Sequence, residues 1–170
     1  EGKHYSDFAI LYRTNYQSRT FEEQMLKDNI PYKIYGGMSF YQRKEIKDVI
    51  AYFRLVVNHH DEEAFRRIIN YPARGIGDTT VNKIVAGAQE RNVSLWTVAQ
   101  NPLAYGVEIN KGTINKLSLF CQMIEGFSQR LNTDDVYELG KDIIKMSGIT
   151  ADIYSGTNAD DTSRQENLEE

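Results

Sequence analysis

The spacing of apolar residues changes character once along this 170-residue chain, at Gly36-Gly37, and that change constrains the fold more than any other feature. Before it, the run DFAILYR (residues 7–13) is apolar, of strand length, and suited to burial in a parallel sheet. Residues 18–29 have helix-forming composition, with Phe21, Met25 and Leu26 at helical spacing. Pro31 stops that helix, and residues 32–35 (YKIY) read as a second short strand. Residues 1–35 therefore predict strand–helix–strand, about one βαβ unit. A lone unit cannot build a sheet, so it leaves strand edges and apolar surface uncovered.

From Gly36 onward the sequence carries no strand pattern, only helical periodicity. Residues 43–58 place Ile46, Val49, Ile50, Phe53 and Val57 on one apolar stripe. Asp61 is positioned to cap a second helix with Phe65, Ile68 and Ile69 inward, ending before Pro72. Asp78 or Thr79 caps a third, carrying Val81, Ile84, Val85 and Ala88. Ser94 opens a short helical turn around Trp96. Thr113 starts a long helix with Ile114, Leu117, Phe120, Cys121, Ile124 and Phe127 on its apolar side. Asp134 or Asp135 caps another, through Val136, Leu139, Ile143 and Met146. Residues 155–163 read as a polar loop, followed by the start of a helix at 165–170. The expected fold is mainly α, an all-helical unit preceded by a short α/β piece.

Composition excludes several classes. At 41% hydrophobic and 26% charged residues, the chain is neither disordered nor fibrous. No run approaches the roughly 18 apolar residues of a membrane helix, and EGKHYSDFAI lacks the layout of a secretory signal. A single cysteine, Cys121, excludes an intramolecular disulfide and an ordinary cysteine zinc site, so the chain reads as cytoplasmic, with no membrane partner. The net charge of −4 does not exclude nucleic acid. Residues 1–54 hold nine basic and seven acidic side chains, whereas 151–170 hold six acidic ones against Arg164 alone. No Walker A loop or dinucleotide fingerprint occurs, so no cofactor and no ATP hydrolysis are expected of this chain by itself. His4, His59 and His60 lack metal-ligand spacing.

Three segments carry candidate chemistry. The first is NYPARGIGDTT (residues 70–80), set between two helices. Glycines there let backbone approach a phosphate, and the next helix presents free N–H groups and its positive dipole end. Arg74, Thr79 and Thr80 can add charge and hydroxyl hydrogen bonds, in the manner of a helix–hairpin–helix element gripping duplex backbone. The same pattern also suits a plain helix–helix turn in which glycine only relieves strain. The second, YRTNYQSR (residues 12–19), lies at the exit of the first strand, where open α/β sheets bind ligands. Its arginines, amide and tyrosines suit single-strand phosphates and bases, or simple packing. The third is Arg43, Lys47 and Arg54, one helical face that is either a solvated stripe or a nucleic-acid contact.

The segment AILYRTNYQSRTFEEQMLKDNIPYKIYGGMSFYQRKEIKDVIAYFRLVVN, followed by PARGIGDTT, SLW, IIKMSG and RQENLEE, closely resembles UvrD/Rep/PcrA-type superfamily 1 ATP-dependent DNA helicases over essentially the whole chain. The resemblance implies that residues 1–35 are part of the second RecA-like motor domain (2A). It implies that residues 36–170 are most of its inserted helical accessory domain (2B), cut at the C-terminal end and swivelling about Gly36-Gly37. It assigns Arg13 and Asn15 to single-stranded DNA, Lys47 to a position near that strand, and Gly75-Ile76-Gly77 with Thr79 or Thr80 to the duplex ahead of the fork. ATP and Mg²⁺ are implied for the parent enzyme only. The implied partners are a single-strand/duplex DNA junction, the remaining motor domains and regulatory proteins. The acidic tail also fits a different role, a protein-interaction or autoinhibitory module with little DNA affinity of its own.

Overall fold

The computed structural model describes residues 2–13, 16–35, 40–156 and 159–169. Among these the chain is mainly helical and contains no strand. The helices are α1 (Tyr16–Lys27), α2 (Lys44–Val57), α3 (Glu62–Ile68), α4 (Asp78–Arg91), α5 (Leu95–Gln100), α6 (Lys111–Gln129), α7 (Val136–Met146), α8 (Ile149–Tyr154) and α9 (Ala159–Glu169).

Local sequence sets four of the helix starts. An N-cap oxygen satisfies one of the orphan N–H groups of the first turn. Asp61 does this for Ala64, Ser94 for Thr97, Asn110 for Thr113, and Asp135 for Tyr137 and Glu138. Thr113 is thus inside α6 rather than at its start. At α4 the cap is Gly77, not Asp78 or Thr79, and no side chain performs the capping. Asp78 is the first helical residue, where its carboxylate still favours the positive end of the helix.

The core forms around α2, which packs against α3, α6, α7 and α9. Tyr52, Leu55 and Val56 are buried there with Phe65, Ile68, Ile84, Trp96, Leu117, Phe120 and Ile124. The expected stripe on α2 is corrected: Ile50 and Phe53 are half-buried and Val57 is exposed. A helix covered from several sides buries more than the face its periodicity marks, and here that includes Asp48, paired with Lys44 at 3.0 Å and Arg67 at 2.8 Å. On α7, Leu139 and Ile143 are buried, but Val136 and Met146 face solvent.

The βαβ expectation is also corrected. Its helix is present as α1, but residues 7–13 and 32–35 form no strand. A strand exists only through hydrogen bonds to a neighbour, and the described residues supply none. Leu11 is 95% exposed, and Phe8, Ile10 and Tyr35 are exposed as well. What ties α1 to the rest is the buried Glu22, which accepts from the Tyr32 hydroxyl (3.3 Å) and the Phe40 N–H (3.5 Å) and, within α1, from Ser18 (3.0 Å). The Arg19 guanidinium lies 4.8 Å from the Phe40 ring centroid. The Gly36-Gly37 junction lies outside the described residues.

The polar loop expected at residues 155–163 is shorter than its composition suggests, because α9 begins at Ala159. Asn167 docks α9 on α2, donating to Glu45 at 2.7 Å and accepting from Arg43. Among the described residues, no helix is long and apolar enough to cross a membrane.

Candidate nucleic-acid interface

The loop between α3 and α4 is built by three devices. Asn70 folds back so that its Oδ1 accepts from the N–H groups of Arg74 (2.9 Å) and Ile76 (3.0 Å). Gly75 takes φ +69°, the left-handed region in which L side chains are strained. Ile76 is fully buried and anchors the loop to the core. Its side chain is therefore a packing anchor rather than a ligand contact.

Arg74 is the main correction to the sequence reading. Its guanidinium turns inward and does not face solvent phosphate. Nη1 lies against the carbonyl oxygens of Ile68 (3.1 Å), Tyr71 (2.9 Å) and Pro72 (3.2 Å). Nη2 donates to the Tyr52 hydroxyl (2.5 Å) and the Ser147 carbonyl (2.9 Å), and the cation sits 5.3 Å from the Phe120 ring centroid. Burial pushes the Tyr52 phenol up to about 12 against the opposing pull of Arg74. It therefore stays protonated and donates in turn to the Tyr71 carbonyl at 2.6 Å. A guanidinium offers five donors in a fixed fork, and here the fork closes on acceptors from α2, the α3–α4 loop and Ser147.

The outer side of the loop is different. Among the described residues, the N–H groups of Gly75, Gly77, Asp78 and Thr79 donate to no protein acceptor. The Gly77 carbonyl closes the first turn by accepting from Thr80 (2.9 Å) and Val81 (3.2 Å). Gly77 has an unremarkable φ of −78°, and a Cβ added to it would meet nothing within 4 Å. Thr79 is exposed and Thr80 half-buried. Together with Lys83, Glu108, Ile109, Asn110 and Thr113 they line an open concavity of about 470 Å³. One side chain comes from far away: Lys116 on α6 donates from Nζ to the Gly75 carbonyl at 3.2 Å.

The other candidates are scattered. Arg13 and Lys47 are exposed, and neither side chain has a partner among the described residues. Asn15 lies outside the described residues. The basic stripe on α2 is divided: Arg43 binds Asn167, and Arg54 pairs with Asp61 (2.7 Å) and Glu63 (2.9 Å). The Arg54 contact, with help from the Ala64 N–H, holds the Asp61 carboxyl below its ordinary range. Only Lys47 of the three remains available. Sequence reasoning missed Asn70 and Lys116. An Asn shortly before an Arg-Gly pair is a signal for a side chain that mimics a turn, but nothing local points to Lys116. No Walker loop occurs in the sequence, and among the described residues no three His, Cys, Asp or Glu side chains gather as a metal site.

Residues 1–164 match the UvrD-like helicase C-terminal domain, and the chain belongs to that family. Among known proteins it is similar to the ATP-dependent DNA helicase PcrA of Staphylococcus epidermidis, with 38% identity over 169 residues, 99% of this chain and 23% of the relative. PcrA of Leuconostoc citreum is 39% identical over 172 residues, covering 100% of this chain and 23% of the relative. PcrA of Staphylococcus aureus is 35% identical over 169 residues, 99% of this chain and 23% of the relative. The chain thus spans about a quarter of the length of these relatives.

Proposed function

We propose that this chain is the DNA-binding and regulatory segment of an ATP-dependent 3′→5′ DNA helicase. It is not catalytic on its own, and it grips duplex backbone through Gly75, Gly77, Thr79 and Thr80. Arg13, Asn15 and Lys47 are assigned to the single strand. ATP and Mg²⁺ belong to the parent motor, whose remaining domains are the chain's natural partners. Arg74 and Ile76 leave the list of DNA ligands and become the residues that hold the hairpin in shape.

The observation that carries this reading is Gly77. Neither its backbone angle nor its surroundings require glycine, yet it stands where a side chain would cover the free N–H groups at the start of α4. An open backbone at a positive helix end suits a phosphate oxygen. Contacts of this kind hold duplex without reading its sequence.

Gly77→Ser separates binding from folding. Serine is a better N-cap than glycine and meets open space, so the circular-dichroism spectrum and melting of the variant should match the wild type. Its affinity for a fluorescein-labelled DNA hairpin bearing a 3′ single-stranded tail, read by anisotropy, should fall roughly tenfold, as expected for losing a hydrogen bond to a charged group. Absence of wild-type binding even at low salt overturns the reading and favours a protein-contact module.

A further inference from the structure

We propose that Lys116 is a duplex-contacting residue. It completes the Gly75–Gly77 hairpin with the positive charge that Arg74, turned inward, does not offer. The proposal rests on the duplex-grip reading above, and the chemistry it names is one ammonium on one backbone phosphodiester.

Four observations carry it. Lys116 lies on α6, 41 residues along the chain from Gly75, yet its Nζ reaches the Gly75 carbonyl. A Cβ built on Gly75 would stand 2.5 Å from that Nζ, so the ammonium occupies the space where a side chain of the hairpin itself would sit. An ammonium has three donors, of which Gly75 takes one, and no carboxylate pairs with Lys116 among the described residues. Arg74, the only arginine of the loop, has its guanidinium closed on interior acceptors and leaves the hairpin without an outward cation of its own.

The Gly75 carbonyl makes the charge matter. A carbonyl oxygen beside a row of free N–H groups repels the anion those groups attract. Lys116 engages that oxygen and replaces a negative lobe with a positive one, so its two remaining donors and the N–H groups of Gly77 to Thr79 act with the same sign. Its exposed side chain gives little to stability, as is usual for surface lysines.

Each phosphate neutralised on B-DNA adds about 0.9 to the slope of log affinity against log salt. With this chain and a blunt DNA hairpin, Lys116→Gln should therefore flatten that slope by about 0.9. Its deficit relative to wild type should shrink about 3.5-fold between 50 and 200 mM salt. Lys116→Arg should keep the wild-type slope. Unchanged affinity in Lys116→Gln overturns the proposal, and so does a loss of affinity at constant slope, which would mark a prop for the Gly75 carbonyl. If Gly77→Ser loses affinity while Lys116→Gln does not, the hairpin grip stands and Lys116 falls. If the wild type does not bind duplex, both fall together.

Discussion

Residues 2–35 and the helical body from Phe40 onward both carry apolar side chains in patterns that call for cover, and they meet opposite fates. In the body, α2 is enclosed by four helices, and Tyr52, Leu55 and Phe120 lose nearly all contact with solvent. In the N-terminal part, α1 forms, but the flanking runs find no partner strand, and Leu11 stands almost fully in water. Helices close their own backbone hydrogen bonds and need only a neighbour for one face. Strands need a neighbour for the backbone itself. The same chain therefore builds a closed core in one region and an open surface in the other.

Hydrogen exchange gives the largest expected difference between them. Amides of residues 8–12 and 32–35 should exchange near the rate of unstructured chain, and those of α2 and α6 at least about a thousandfold slower. Equal protection would erase the distinction. Next in size is truncation. Leu55→Ala should cost about 3–4 kcal/mol in urea unfolding, whereas Leu11→Ala should cost less than about 0.5 kcal/mol. A comparable loss at both would mean that Leu11 is covered in solution. The smallest effect sharpens the contrast at the rim of the body. Asp61 has its folded carboxyl held below the ordinary value, chiefly by Arg54. Its contribution is therefore present above the unfolded value and fades as pH falls below about 4. Asp61→Asn keeps the cap of α3 but should remove this part of the acid sensitivity, seen as a shallower loss of melting temperature between pH 5 and pH 3.

What was legible in the sequence is what is local. Caps at Asp61, Ser94 and Asp135 act across three residues, so they can be read directly, and the helices they open follow. What was not legible depends on distant partners. The buried face of α2 includes Tyr52, Leu55 and Val56 because helices arrive from several directions, a fact its own periodicity does not contain. The sequence marked a helix only from residue 165; the earlier start of α9 at Ala159 was not legible, and its place is set by Asn167 reaching Arg43 and Glu45 over more than 120 residues. At the loop between α3 and α4, the sequence pointed to a glycine-dependent turn, and Gly75 takes φ +69° there. The direction of Arg74 was decided by Tyr52 and Ser147, 22 and 73 residues away.

The inward turn of Arg74 has an electrical consequence. A trans peptide group points its C=O and N–H in opposite directions. Drawing the Pro72 carbonyl onto an interior cation therefore turns the N–H across that peptide, which belongs to Ala73, the other way. That N–H joins the free N–H groups of Gly77, Asp78 and Thr79 on the outer side of the loop, where the Gly75 carbonyl is engaged by Lys116. Sorting dipoles in this way requires no surplus of basic residues, so a chain of net charge −4 can still turn an electropositive rim toward an anion. The charge that organises the rim is one the anion never touches.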